Sequence, residues 1–458
     1  MSPAALARAP AATQRMLVGP VLPTLLRLAT PNVLGLFATT VVIGYDGYIV
    51  GKLGADALAG VAIVLPIAML MLQMSAGSLG GTTTAAVARA LGAGDAGLAV
   101  RLARHAVLMG LAASLLFALG GTASGIYQAL GARGAVLALA LDYAGVFFVG
   151  AAAMWTVNVL SGIARGMGDM LAASLALMGT TALHLIVCPL LVFGAGPVPA
   201  LGVAGAAAST VACNGLAALA LLAWLSRHAS PMRLLGAGWT PRSDTSRTLL
   251  AVALPSALGP VLSNGSIALA TAYVGTFGSV ALAAYGIAAR LEYILVPVTF
   301  GIGSALTAMV ATNLGASQSA RAKRVTWTGA AVVWAVTGAI GVAAALWPAA
   351  WMALFTNDPA VQAAGSEYLR IVGGCYGFFG VGLALFFASQ GAGRLGWALG
   401  ASAARLLVVA IGGWFTVHAV AGPPAALYAI IALSLVALAG VVAVATYAAD
   451  WAVAGAGP

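Results

Sequence analysis

Apolar runs of roughly 20 residues, broken by short clusters of glycine, proline and charge, fill the chain from end to end. They begin near Thr30, Leu58, His105, Val136, Leu171, Val203, Leu249, Val280, Val325, Gly365, Gly396 and Ala425. A helix of roughly 20 residues crosses the ~30 Å hydrocarbon core of a bilayer, so these runs predict twelve membrane spans. The longest polar stretch, SRHASPMRLLGAGWTPRSDTSR, falls near the middle of the chain and reads as a linker. Residues 1–29 are then a cytoplasmic N-terminal segment, 30–226 six spans, 227–248 a cytoplasmic linker, 249–449 six more spans, and 450–458 a cytoplasmic tail. Orientation follows from the basic residues. Arg89, Arg101, Arg104, Arg165, Arg227, Arg321 and Arg394 fall in even-numbered gaps, whereas the odd-numbered gaps hold mainly Lys52 and Arg133. Positive charge stays on the cytoplasmic side, which puts both termini there.

The two halves repeat. LATPNVLGL (Leu28 to Leu36) answers ALPSALGPV (Ala253 to Val261), and LGADALAGVAI (Leu53 to Ile63) answers FGSVALAAYGI (Phe277 to Ile287). VARALGAGD (Val87 to Asp95) answers VATNLGASQ (Val310 to Gln318), and RGMGD (Arg165 to Asp169) answers QGAGR (Gln390 to Arg394). Six spans per copy preserve orientation, so the copies relate by an axis along the membrane normal, as parallel transporter repeats do. The expected fold is an all-α membrane protein of 12 transmembrane helices, in two pseudo-symmetric six-helix lobes around a central cavity.

Composition closes other classes. Of the 458 residues, 62% are hydrophobic and 7% charged, too little polarity to cover a water-facing surface. The net charge of +10 does not imply nucleic acid as a partner, because the basic residues lie singly between apolar runs rather than in a stripe with aromatics. Cys188, Cys213 and Cys375 sit inside apolar runs without metal-type spacing and are expected as free thiols. Arg8 and Arg15 precede no short apolar core with a cleavage site, so the first span is expected to be retained. GAGD and RGMGDM lack the GK[ST] ending of a phosphate loop, and four scattered histidines make neither a zinc-protease motif nor a hydrolase triad. The expectation is a non-enzyme without a cofactor, driven by an ion gradient.

An ionisable side chain at the bilayer centre costs roughly 2.5–3.5 kcal/mol on insertion scales, so the few present invite a functional reading. Asp46 and Glu292 are the acids that fall well inside runs. Asp46 lies roughly 23 Å from the inner boundary. His184 in the fifth run and Thr210 in the sixth come to about the same depth. His184 with Cys188, and Ala206 with Thr210, are i,i+4 pairs, each sharing one helix face. Asp46, His184 and Thr210 are therefore expected to form one polar pocket, in which Asp46 exchanges the coupling proton and His184 titrates in the useful range. The alternatives are an Asp46 that bonds a helix end and a neutral His184 that bonds a carbonyl.

Taken together, Asp46 followed by GYIVGKLGADALAG, ARALGAGD (Ala88 to Asp95) and SGIARGMGD (Ser161 to Asp169) in the first copy resemble the multidrug and toxic compound extrusion (MATE) family, and its DinF-like branch. LAAYGIAARLE (Leu282 to Glu292), ATNLGAS (Ala311 to Ser317), LFTNDPAV (Leu354 to Val361) and ASQGAG (Ala388 to Gly393) extend the resemblance through the second. It implies export of drugs or metabolites, often cationic, by alternating access against inward H+ or Na+ flow, across the inner membrane of a bacterial cell. In relatives the fifth span carries Asn and Asp as part of a Na+ site. Here His184 and Cys188 stand at those positions, while Ala206 and Thr210 match the sixth-span residues of the site. Losing amide and carboxylate oxygens to imidazole and thiol argues against Na+, a hard cation, and for H+.

Glu292 is expected near the midplane, open both to contact with a cationic substrate and to interhelical pairing; Arg290, two residues away, lies on another helix face. Tyr45, Met69, Trp155 and Tyr293 are candidates to line the substrate path through cation-π and adaptable apolar contacts. The chain is expected to work as a monomer on a small cationic or amphipathic molecule. A lipid-linked precursor flippase and a transport-inactive scaffold or sensor are the alternatives.

Overall fold

A computed structural model describes residues 10–227, 234, 242–449 and 451, without the side chains of Thr40, Ile43 and Tyr293. Most of the linker and tail, and residues 1–9, lie outside the described residues. The elements, in chain order, are α1 (Ala11–Val18), α2 (Val21–Gly51), α3 (Ala55–Gly92), α4 (Ala96–Gly121), α5 (Ser124–Ala129) and α6 (Gly134–Val149). Then come α7 (Ala151–Gly166), α8 (Met170–Phe193), α9 (Val203–Leu225), α10 (Ser243–Gly275), α11 (Ser279–Ala288) and α12 (Arg290–Gly315). The last six are α13 (Ser319–Leu346), α14 (Pro348–Ala353), α15 (Pro359–Val372), α16 (Tyr376–Ala392), α17 (Gly396–Ala419) and α18 (Pro424–Ala448). Among the described residues, 11 helices or joined helices are long and apolar enough to cross a membrane, and the pair α6 and α7, bent by 44°, brings the number to 12.

Some helices start six to nine residues before their apolar runs, taking in the polar residues that precede them. α2 starts at Val21, before Arg27, and passes through Pro31; α4 starts at Ala96, before Arg101 and Arg104; α10 starts at Ser243 and passes through Pro255 and Pro260. A membrane helix tolerates proline where neighbours re-satisfy the freed carbonyl. Asp95 and Asp169 cap α4 and α8, each carboxylate accepting from the backbone N–H three residues on, at 2.7 and 3.0 Å.

The chain divides into two compact units, one of Met1–Arg15 with Thr30–Ala253, the other of Met16–Ala29 with Leu254–Pro458. The three crossings between units fall inside helices α1, α2 and α10. In unit 1, α8 packs on α9, α3 on α6, and α7 on α4, α9 and the second half of α3. Its core holds Tyr143, Phe147, Phe148, Met154 and Leu160. In unit 2, α16 packs on α12, α13 and α18, and α11 on α15. The segment Met16–Ala29 belongs here: Asn313 Nδ2 donates to the Met16 carbonyl at 3.1 Å, and the Arg321 guanidinium donates to the carbonyls of Met16 and Gly19.

The sequence repeat is remade as packing. In unit 1 the Thr84 hydroxyl reaches the Gly80 and Gly162 carbonyls, both at 3.0 Å. In unit 2 the Thr307 hydroxyl reaches the Gly303 and Phe387 carbonyls at 3.1 and 2.9 Å. A Cβ on Gly166 would meet the Thr84 carbonyl at 2.9 Å, and one on Gly391 the Thr307 carbonyl at 2.7 Å; one on Gly162 would collide with the Gly80 carbonyl. Small residues thus let α3 and α7, and α12 and α16, approach backbone to backbone, as helices in lipid do. The turns repeat too. Gly94 has φ +84° and its counterpart Ser317 φ +61°, the left-handed region that disfavours a side chain.

Candidate coupling site

Pro189 sits inside α8 and has no N–H to give the carbonyl of Leu185, four residues back. The Tyr45 hydroxyl of α2 donates to that carbonyl at 2.9 Å. This brace brings the next residue, Asp46, against the turn of α8 that carries His184 and Cys188. His184 Nε2 lies 2.7 Å from Asp46 Oδ1, and Cys188 Sγ donates to the same oxygen at 3.7 Å. On the far side of the ring, His184 Nδ1 lies 3.0 Å from Ser209 Oγ of α9. His184 is 2% exposed and Cys188 and Ser209 are fully buried, whereas the Asp46 side chain is 23% exposed. Both contacts land on Oδ1, which leaves Oδ2 without a hydrogen-bond partner among the described residues. Thr210 turns back, its hydroxyl donating to the Ala206 carbonyl of its own helix at 3.2 Å. Tyr143 of α6 completes the surroundings of Asp46 and Cys188.

Ligand atoms of Asp46, His184 and Cys188 lie within 4.8 Å of one another. Two ligands of a tetrahedral zinc, with bonds of about 2.0–2.1 Å, stand roughly 3.3 Å apart. Asp46 and His184 at 2.7 Å are closer than that and have hydrogen-bond geometry, so the arrangement suits a shared proton better than a metal.

In unit 2, Glu292 lies in the first turn of α12, just past the break from α11, and is 9% exposed. Its carboxylate faces Arg405 Nη2 of α17 at 3.7 Å and accepts from the Tyr368 hydroxyl of α15 at 3.4 Å. Tyr285 and Tyr428 contact the Tyr368 ring edge to face. Arg290 stacks over Phe355 instead. Trp155 is 3% exposed, inside the core of unit 1 against Phe117; Met69 is half-buried; the Tyr293 side chain lies outside the described residues. Sequence reasoning missed Ser209, Arg405, Tyr368 and the brace from Tyr45. It also missed Arg165, which is 3% exposed and donates to Asn32 Oδ1 at 3.3 Å, with no carboxylate in salt-bridge range among the described residues.

The MatE family model matches the chain twice, over residues 31–190 and 255–415. The FAD transporter of Shewanella oneidensis is 28% identical over 379 residues, 80% of this chain and 81% of that one. The probable multidrug resistance protein NorM of Deinococcus radiodurans is 29% identical over 361 residues, 76% of this chain and 77% of its own. Among solved structures, one described as the outward-facing conformation of a multidrug resistance MATE family transporter superposes with a TM-score of 0.88 at 22% identity, covering 96% of this chain and 98% of that one. A MOP superfamily transporter from Pyrococcus furiosus, described by the reverse polarity of its binding pocket, gives the same TM-score, identity and coverage.

Proposed function

This chain belongs to the MATE family of membrane transporters, and from that premise we propose that it is a proton-coupled exporter in which Asp46 and His184 carry the coupling proton. The observation that carries the reading is the 2.7 Å contact between a partly exposed carboxylate and a buried imidazole on neighbouring helices. Coupling requires that the protonated and deprotonated pair favour different conformations of the carrier. A proton entering at the open side of Asp46 removes a negative charge from the place where α2, α8 and α9 meet. The balance of that charge against the bound substrate then decides which side of the membrane the carrier faces. Sodium is the poorer ion here, because His184 and Cys188 supply nitrogen and sulfur where a hard cation takes oxygen. The chain works as a monomer in a bacterial inner membrane with both termini cytoplasmic.

The substrate is a cationic or amphipathic small molecule, the class suggested by multidrug relatives. A second reading, a flavin dinucleotide, has the Shewanella relative and the net charge of +10 in its favour. One experiment separates them. Proteoliposomes with an imposed pH gradient and no Na+ are assayed with ethidium and with FAD, wild type beside Asp46→Asn. Gradient-driven movement of either molecule, lowered at least about tenfold by the substitution, is the expected result. Transport that starts only when Na+ is added overturns proton coupling.

A further inference from the structure

Asp46 occupies one edge of the His184 ring; the other edge belongs to Ser209. Several buried hydroxyls on the helices of unit 1 bond the carbonyl four residues back, as Thr83, Thr84 and Ser174 do. Ser209 does not. Among the described residues its only hydrogen-bond partner is His184 Nδ1, at 3.0 Å. Ser209 is fully buried and His184 nearly so, so water cannot easily replace that bond. We propose that Ser209 is the positioning residue of the coupling pair, a rotating hydroxyl that keeps His184 Nδ1 bonded in every protonation state; this rests on the coupling role of Asp46 and His184 proposed above.

The bookkeeping of protons shows why a hydroxyl is needed. With Asp46 ionised and His184 neutral, Nε2–H donates to Asp46 Oδ1, Nδ1 carries a lone pair, and the Ser209 O–H donates to it. One more proton can make the imidazolium. It can also settle on Asp46 Oδ1, which then donates to Nε2 while the ring changes tautomer. In both cases Nδ1 now bears a hydrogen, and Ser209 must accept. A hydroxyl both donates and accepts, whereas a carbonyl in its place would serve only the second set of states. The other titratable groups facing the pair are Cys188 on α8, Cys213 on α9 and Tyr143 on α6. The two thiols are weak partners and do not substitute for an oxygen.

Removing the hydroxyl costs both states a bond, but not equally. A bond donated by an imidazolium is roughly twice as strong as a neutral one, so the protonated pair loses more. Ser209→Ala therefore weakens proton uptake by about three- to tenfold, moving the midpoint to lower pH by about 0.5–1 unit. If the proton instead goes to Asp46 Oδ2, the ring never changes, and Ser209 donates to Nδ1 in both states without affecting proton uptake.

The test uses the full chain, labelled with 15N-histidine, in lipid nanodiscs. The ring shifts of His184, assigned against His184→Gln, are titrated in wild type, Ser209→Ala and Ser209→Thr, beside the pH profile of efflux. The expected result is a lower midpoint in the alanine variant, in both readouts, and the wild-type midpoint in the threonine variant. A His184 that titrates at the wild-type pH in Ser209→Ala overturns the proposal. Should the alanine variant fail to fold, Ser209→Thr against Ser209→Val, equal in shape and different in hydroxyl, carries the same comparison. Asp46→Asn with unchanged pH-dependent transport would remove the coupling reading instead, and the ring titration would still decide what Ser209 does.

Discussion

His184 and Cys188 stand where the resemblance to the MATE family implies Asn and Asp. An imidazole at 2.7 Å and a thiol at 3.7 Å converge on a single carboxylate oxygen. Restoring the oxygen donors in His184→Asn/Cys188→Asp should give transport that Na+ stimulates and that a pH gradient alone drives poorly, measured as efflux with and without Na+. A different residue-scale test concerns Ser317, held at φ +61° where the first copy has Gly94. Ser317→Gly should stabilise the protein by about 0.5–1 kcal/mol, the left-handed strain relieved less the entropy glycine loses, read as a rise in melting temperature in detergent. The polar pocket of Asp46 and His184 was foreseeable because both are costly in lipid and come to one depth. Ser209 was not, since it stands among the alanines and serines of α9 and costs nothing there until its partner is known.

Tyrosine hydroxyls on neighbouring helices donate to helix carbonyls in both units. Tyr45 fills the one that Pro189 leaves open, and in unit 2 the Tyr273 hydroxyl donates to the Ala410 carbonyl at 3.0 Å, within a π-helical stretch of α17. Tyr45→Phe should cost about 1–3 kcal/mol by orphaning the Leu185 carbonyl, and should lower coupled transport by loosening α2 against α8; thermal unfolding and efflux measure the two effects. Gly166→Ala and Gly391→Ala should each destabilise by about 1–3 kcal/mol, because the added methyl meets a backbone carbonyl. The positions of the spans were legible because lipid demands about 20 apolar residues for each. Their bends were not. The 44° change at Gly150 and the break between α11 and α12 follow from which helix each half packs on, and that is fixed by residues far away in the chain. Arg405 and Tyr368 were hidden from Glu292 for the same reason.

At the scale of the whole molecule the two halves share a framework but not their ionisable groups. The threonine-to-carbonyl contacts recur in both units, yet the charged groups differ: Asp46 with His184 in one, Glu292 with Arg405 in the other. The repeat was visible in the sequence because the same close approaches require the same small residues twice, while the ionisable groups lie outside those contacts and were free to diverge. The expected orientation follows from the basic residues between spans. Cysteine placed at Gly196, between α8 and α9, should react with a membrane-impermeant maleimide in intact cells, and cysteine at Asp244 should react only after lysis, with wild type as the background for the native thiols. The reverse pattern would invert the topology.

The glycines wedged against carbonyls have a practical consequence for anyone dissecting this transporter genetically. Where the proposed export protects cells from a drug, a random library scored only on survival should return Gly162, Gly166 and Gly391 beside Asp46, because a methyl at any of the three meets a backbone carbonyl and should disrupt assembly as surely as an asparagine at Asp46 is expected to disrupt exchange. Survival cannot tell these apart. Scoring the amount of protein in the membrane for every variant will, with the glycine variants depleted and the Asp46 variants present but silent.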